Sequence, residues 1–330
     1  MPDLRIYLQA TAVAALVSPV FVLTIVLAIR LVRRTASTAW LNAACALGLA
    51  LAFGSIAVLL RLNWPPVSGL DRFFTIVVPL VLAVELIAGF PFVPRGVAWF
   101  LRISLAATIP RILLRGSVYL SGSVDDWPLW WSNATLAVSA VVLAGFWGLL
   151  SSLSQRSPGI SIPLAIVLAI QCAGLNVMMV GYIKGGAAAF PMAATLAATT
   201  LVAWIITKRS SVPVILGIGV VSLFGVLFVG RFFGRLSTGC AIAMLLAPLL
   251  CWVTEMPLLR HRKPGLVGLL RLMLVAIPLV IVLTLAKQNF DRDMAPLIEN
   301  VQRRMARPST TGRRSGHDCF LTILISEKTS

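Results

Sequence analysis

Charged and catalytic side chains are scarce in this sequence. Its 330 residues include 2 histidines and 11 acidic residues, and only 12% of the chain is charged. The motifs H-E-x-x-H and G-x-S-x-G and the glycine-rich phosphate-binding loop do not occur. We therefore expect neither a zinc protease nor an ATP-driven pump. His261 lies in a basic loop and His317 near the C-terminus, so no histidine is placed to ligate a haem between helices.

Cysteine is also infrequent. Four of the 5 cysteines lie inside apolar runs, and no two of them have C-x-x-C spacing. Such residues usually act as small buried apolar side chains. The sequence therefore predicts no disulfide framework and no zinc site, and it indicates no other metal or cofactor.

Apolar residues, in contrast, are abundant. Hydrophobic residues make up 59% of the chain, and its mean hydropathy is +0.95. Soluble domains are nearer half apolar and a quarter charged. A water-soluble fold of this size could not keep so much apolar surface from solvent, whereas a bilayer removes that difficulty. The predicted fold class is all-α, a polytopic integral membrane bundle of nine to ten transmembrane helices in residues 1–286.

Nine apolar runs have about the 20 residues that a helix needs to cross the hydrocarbon core. They are 8–29, 39–60, 73–93, 130–150, 161–183, 186–206, 211–230, 237–258 and 265–286. Basic residues follow the first run directly, as Arg30, Arg33 and Arg34, where a signal peptide would have a cleavage site of small residues. We therefore expect an uncleaved first helix with its N-terminus outside.

A tenth segment, at about 96–120, is ambiguous because it carries Arg95, Arg102, Arg111 and Arg115. Two short in-plane helices broken at Pro110 would accommodate these charges at the membrane surface. A single crossing helix would instead let Arg102 and Arg111 extend toward opposite interfaces. The sequence leaves nine or ten crossings open, and with them the side of the C-terminus.

The net charge of +17 comes largely from basic residues at the ends of apolar runs. This pattern orients helices during insertion, so the expected partner is the lipid bilayer of the cell's cytoplasmic (inner) membrane, and no nucleic acid is expected. Residues 287–330 differ in composition, since charged residues there mix with Pro, Ser, Thr and Gly. They predict a polar, basic C-terminal tail that is partly disordered. The sequence does not indicate an oligomeric state.

Five polar residues inside apolar runs form a candidate intramembrane site. Glu85 lies in the middle of its run, where an ionisable group must pair, face the bundle interior or be protonated. Arg271 is a candidate partner for Glu85, and Glu255 is a further charge near the end of its run. Gln171 and Asn176 share a run, where they either line a polar path or bond between helices. The alternatives are thus a proton- or cation-coupled site and a packing interaction.

Asp125 and Asp126 precede a Trp-rich segment in a loop. Paired aspartates beside a membrane bundle resemble the metal-binding pairs of membrane glycosyltransferases, and the resemblance implies sugar-phosphate chemistry on a divalent ion. The alternative is a helix cap followed by an interfacial anchor.

Three functions are compatible with these patterns. The first is a secondary transporter or permease for a small solute. The second is a non-catalytic membrane scaffold or assembly subunit. The third is a lipid-linked glycosyl- or phosphotransferase that would use Asp125 and Asp126. The absence of catalytic motifs favours a protein that is not an enzyme.

Overall fold

A computed structural model of the chain describes residues 4–32, 38–121, 129–157, 159–207, 212–255 and 264–306. Nearly all of these residues are helical, and none of them forms a strand. The chain is therefore an all-α protein in the part that the structure describes.

The described residues of the first half form six α-helices and one π-helical turn. They are α1 (Leu4–Val32), α2 (Thr38–Leu59), α3 (Gly69–Arg72), the π turn (Phe73–Val77), α4 (Val78–Ala88), α5 (Arg95–Leu114) and α6 (Val118–Ser121). Those of the second half form six α-helices and one 3₁₀ segment. They are α7 (Leu129–Arg156), α8 (Ser161–Met179), α9 (Ile183–Thr207), α10 (Pro213–Phe233), α11 (Thr238–Leu246), the 3₁₀ segment (Ala247–Glu255) and α12 (Pro264–Ala306).

Among the described residues, nine helical stretches are long and apolar enough to cross a membrane. A further apolar segment, Gly69–Ala88, is helical throughout but is divided by the π turn. The protein is a multi-pass membrane protein whose backbone groups bond within helices, as lipid requires. α5 passes through Pro110 without a break, so the residues after Arg95 do not form two helices separated at that proline.

The π turn before α4 has a cause in the sequence. Pro79 has no backbone N–H, and its ring would clash with the carbonyl of Thr75 in a regular α-helix. The wider turn avoids this clash, and Val78 N donates to Phe73 O. Ser68 and Asp71 form a capping box at the start of α3. This segment therefore begins at Gly69, four residues before the apolar run, and ends at Ala88.

Short connections make successive helices of the bundle antiparallel. One end of the bundle, here called the Glu85 end, contains the ends of α4 and of the 3₁₀ segment and the starts of α5, α10 and α12. The opposite end, here called the Arg231 end, contains the end of α10 and the starts of α7 and α11. α10 is the central helix, because every side chain from Val214 to Gly230 is buried.

The structure separates into two units, Met1–Ala286 and Lys287–Ser330. The first unit contains the apolar core and every side chain discussed below. In the second unit, the described residues 287–306 are helical. The predicted tail from residue 307 onward lies outside the described residues.

Candidate functional site

Glu85 forms a buried ion pair with Arg102. Arg102 Nε donates to Glu85 Oε1 at 2.7 Å, and its Nη2 donates to Oε2 at 2.8 Å. Glu85 is 0% exposed and Arg102 is 9% exposed. The planar guanidinium thus meets both oxygens of the carboxylate, which is the strongest geometry available to such a pair. The ring of Trp99 lies 5.2 Å from the guanidinium carbon and covers it further.

The direction of side chains on a helix explains why these two residues meet. Every Cα–Cβ bond tilts toward the helix N-terminus. α4 ends at the Glu85 end of the bundle, so Glu85 points inward, away from that end. α5 begins there, so Arg102, seven residues and about 10 Å along the helix, points back toward the same end. The two side chains therefore converge across the turn at 89–94.

Asn42 connects this pair to the central helix. Its Nδ2 donates to the backbone oxygen of Glu85 at 3.2 Å, and its Oδ1 accepts from the backbone nitrogen of Val214 at 3.1 Å. Val214 is the second residue of α10, where the first four N–H groups lack partners within the helix. The buried Asn42 side chain therefore caps α10 and holds α2, α4 and α10 together.

Gly217 lets α10 approach the carboxylate closely. A Cβ atom at this position would lie 2.7–2.8 Å from Glu85 Cγ, Cδ and Oε1, closer than real Cβ contacts. Glu85 is thus in contact with Arg102 on one side and with the backbone of α10 on another. These contacts fill much of the space around the carboxylate in this conformation.

The prediction that Arg271 pairs with Glu85 is wrong, because Arg271 pairs with Glu255. Arg271 Nη2 donates to Glu255 Oε1 at 2.5 Å and to Ser157 Oγ at 2.6 Å. Its Nε donates to Thr254 Oγ1 at 2.6 Å, and its Nη1 to Ser161 Oγ at 3.1 Å. Arg271 is buried, whereas the side chain of Glu255 is 20% exposed. This second pair also lies at the Glu85 end of the bundle.

The two candidate amides on α8 belong to neither ion pair. Asn176 is buried, and its Nδ2 lies 3.9 Å from the sulfur of Met244, a weak contact with α11. Gln171 is partly buried, and its side chain forms no hydrogen bond with the residues that the structure describes. The structure thus brings Glu255 and Arg271 together but groups neither amide with them.

Asp125 and Asp126 lie outside the described residues, so their predicted metal site is without structural information. Within the described ranges, no group of three or more His, Cys, Asp or Glu residues is placed to hold a metal ion.

Arg102 and Asn42 are the residues that sequence reasoning did not assign to the site. The sequence predicts for Arg102 either a place on an in-plane helix at the membrane surface or an extension from a crossing helix toward an interface, and neither alternative pairs it with Glu85. The available signal was its separation of 17 residues from Glu85 across a short Gly- and Pro-containing turn, which places both at similar depth in adjacent antiparallel helices. Asn42 carries no comparable signal, since its partners are backbone groups of two distant segments.

Comparison with models of protein families, with curated proteins and with solved structures gives no match to this chain. The geometry of the two ion pairs and of the bundle surface is therefore the guide to function.

Proposed function

We propose that this chain is a non-catalytic scaffold or assembly subunit of a cytoplasmic membrane. The observation that carries the proposal is the full internal pairing of Glu85, which is 0% exposed and meets Arg102 through both oxygens. A coupling carboxylate must exchange its proton or ion with water, whereas a carboxylate that fixes helix packing needs only its partner.

The second pair supports the same proposal. The three side-chain nitrogens of Arg271 donate hydrogen bonds to Glu255 and to three hydroxyl groups. One of these hydroxyl groups lies on the 3₁₀ segment, and the other two lie at or near the start of α8. Both arginines therefore connect neighbouring helices through several bonds. Such connections favour one packing arrangement, and a rigid bundle suits a protein that positions other subunits in the membrane.

Co-purification under mild conditions tests the proposal. The tagged protein is extracted from its native membrane with a mild non-ionic detergent and washed at high salt. We expect a partner at fixed stoichiometry, and we expect the complex to persist in the double variant Glu85→Gln with Arg102→Gln, which removes both charges together. A monodisperse chain without partner under several detergents would contradict the scaffold proposal.

Membrane fractionation tests the location. A protein with these apolar helices should stay in the inner-membrane fraction after washing with alkaline carbonate and be released by detergent. Recovery in the carbonate supernatant, or in another membrane fraction, would contradict the assignment.

A carrier for a small solute is a second candidate, because both intramembrane carboxylates lie in apolar segments that contain an irregular turn. Glu85 follows the π turn at Phe73–Val77, and Glu255 ends the 3₁₀ segment Ala247–Glu255. Interrupted helices frequently form the substrate and ion sites of transporters. In a carrier, Glu85–Arg102 would close a pathway in this conformation and open in another.

Flux measurements in proteoliposomes separate the two candidates. A carrier in which Glu85 takes part in coupling should lose pH-dependent uptake in the double variant Glu85→Gln with Arg102→Gln, although the protein folds. A scaffold should show no uptake above empty liposomes in either form, with small sugars, amino acids and organic anions as probes.

A further inference from the structure

A groove on the lipid-facing side of the bundle lies between α7, α10 and α11. Its volume is about 710 Å³, within the range of about 300–1,000 Å³ that is typical of ligand pockets. The floor contains the rings of Phe224 and Phe228, which stack with their centroids 5.3 Å apart. Val138 of α7 and Ile242 of α11 form opposite walls, and both are largely exposed. The groove is far from both ion pairs, since it lies in the half of the bundle toward the Arg231 end.

The length of the groove matches one leaflet of a bilayer. Along α7 its lining extends from Trp131 to Val142, eleven residues and therefore about 16 Å at helical rise. Half of a hydrocarbon core is about 15 Å thick. Trp131 is at the start of α7 and marks the interface, as tryptophan commonly does in membrane proteins. The groove thus runs from the interface to the middle of the membrane.

Arg231 lines the interfacial end of this groove. Its Nε donates to Thr238 Oγ1 at 2.8 Å, which orients the guanidinium. Its terminal nitrogens donate to none of the residues that the structure describes, and the side chain is exposed. Four N–H donors at the top of an apolar groove fit a phosphate group, which arginine binds with two parallel bonds.

The charge around Arg231 favours a negative ligand. The described basic residues at the Arg231 end of the first unit are Arg5, Arg61, Arg72, Arg111, Arg115, Lys184, Arg231 and Arg235. Among the described residues of this unit, the acidic residue at that end is Asp71, which is buried in its capping box. The described residues at this end of the first unit therefore carry a net positive charge.

We propose that this groove binds one acyl chain of an anionic phospholipid from the leaflet at the Arg231 end, with the lipid phosphate on Arg231. The chain packs against the apolar walls, and the phosphate accepts from Arg231. The neighbouring basic residues favour a headgroup of net negative charge, because they would repel the cation of a zwitterionic headgroup. This binding site is independent of the scaffold proposal, because a scaffold and a carrier could both contain it.

Lipid binding is measured on the full chain in non-ionic detergent by native mass spectrometry and by thermal shift. The probes are phosphatidylglycerol, phosphatidylcholine with the same acyl chains, and glycerol 3-phosphate, which has no chain. We expect one tightly bound phosphatidylglycerol and about tenfold weaker binding of phosphatidylcholine, which lacks a net charge. Glycerol 3-phosphate should leave Tm unchanged.

Matched variants locate the site. Val138→Trp, in the groove wall, should abolish the lipid adduct. Val141→Trp should retain it, since Val141 is also exposed on α7, at 72% against 63% for Val138, but does not line the groove. Ile242→Trp fills the groove from the opposite wall and serves as a second blocking variant.

The charge variants complete the test. Arg231→Gln should lower phosphatidylglycerol affinity about tenfold, to that of phosphatidylcholine, whereas Arg95→Gln, which removes a charge at the Glu85 end, should not. Equal binding of the two phospholipids by the native protein would overturn the proposal, as would an undiminished adduct in both tryptophan-filled variants. A dimer that Val138→Trp dissociates would identify the groove as a self-association surface instead.

Discussion

Replacing Glu85 by Gln should destabilise the bundle by breaking its most deeply buried ion pair. Glutamine keeps the size of the side chain and one acceptor oxygen, but its amide nitrogen would face Arg102 Nη2, a donor that now bonds to Oε2 at 2.8 Å. Arg102 would then be left as a charge that is 9% exposed and without a counter-ion. Removing one partner of a buried pair costs about 3–5 kcal/mol.

A second substitution identifies the partner. Adding Arg102→Gln to Glu85→Gln removes the uncompensated charge and lets two amides bond to each other, so most of the lost stability should return. Adding Arg271→Gln instead should lower stability further, because Arg271 has its own partner in Glu255. The interaction energy between positions 85 and 102 should therefore be large, and that between positions 85 and 271 close to zero.

Thermal unfolding in one detergent measures these differences on the native protein, the single variants Glu85→Gln, Arg102→Gln and Arg271→Gln, and the two double variants, with yield after size exclusion as a second readout. A loss of about 3–5 kcal/mol should lower Tm by several degrees. A Glu85→Gln variant as stable as the native protein would contradict the predicted ion pair, as would recovery of stability by Arg271→Gln rather than by Arg102→Gln.

Three further outcomes follow from the same contacts. Asn42→Ala should lower the free energy of unfolding by about 1–3 kcal/mol, measured by thermal unfolding, because it removes a helix cap and leaves buried backbone groups unpaired. Gly217→Ala should destabilise the folded protein, because the added Cβ would clash with the Glu85 carboxylate. Gly54→Ala is the control, since a Cβ there meets nothing within 4 Å, and it should be neutral or stabilising by up to about 1 kcal/mol. Equal Tm values for the two variants would contradict the close approach of α10 to Glu85. Glu255→Gln should cost less than Glu85→Gln, since three hydroxyl groups would still accept hydrogen bonds from Arg271. Equal losses of Tm would show that these hydroxyl groups do not compensate for the missing carboxylate.

The membrane-helical architecture could be predicted from the sequence because lipid imposes it. A chain with 59% hydrophobic residues in runs of about 20 must satisfy its backbone within helices. The ends of helices depend on capping side chains and on proline, which a hydropathy profile does not detect. The run at 73–93 predicts a later start and end than the helical segment Gly69–Ala88, because Ser68 and Asp71 cap the segment before the apolar run begins. Its last residues, beyond Gly89, form turns that contain Pro91 and end before Pro94, which precedes α5.

The pairing of charges was less predictable, because it depends on the rotation of each helix about its axis. Hydropathy places Glu85 and Arg271 at membrane depth, and that depth alone suggested their pairing. Depth does not decide which helix face each residue occupies or which helices are neighbours. α5 lies next to α4, and this neighbour supplied Arg102 as the partner of Glu85. Residues in irregular segments, such as Glu255, are harder still to place by helical periodicity.

The two ion pairs nevertheless share one arrangement that a sequence can reveal. In each, the carboxylate lies near the end of one helical segment and the arginine lies seven residues into the next α-helix, Arg102 after Arg95 and Arg271 after Pro264. The separations are correspondingly similar, 17 residues for Glu85–Arg102 and 16 for Glu255–Arg271.

Because side chains tilt toward the N-terminus of their helix, the arginine of the second helix points back to the turn while the carboxylate of the first points inward. A glutamate in one apolar run, followed after about 16 residues by an arginine within the next apolar segment, is therefore a pattern that favours an ion pair within a helical hairpin. This pattern separates an ion-paired arginine from an arginine that extends to the lipid headgroups. An arginine that reaches the headgroups does not need a carboxylate at the same depth in the neighbouring helix.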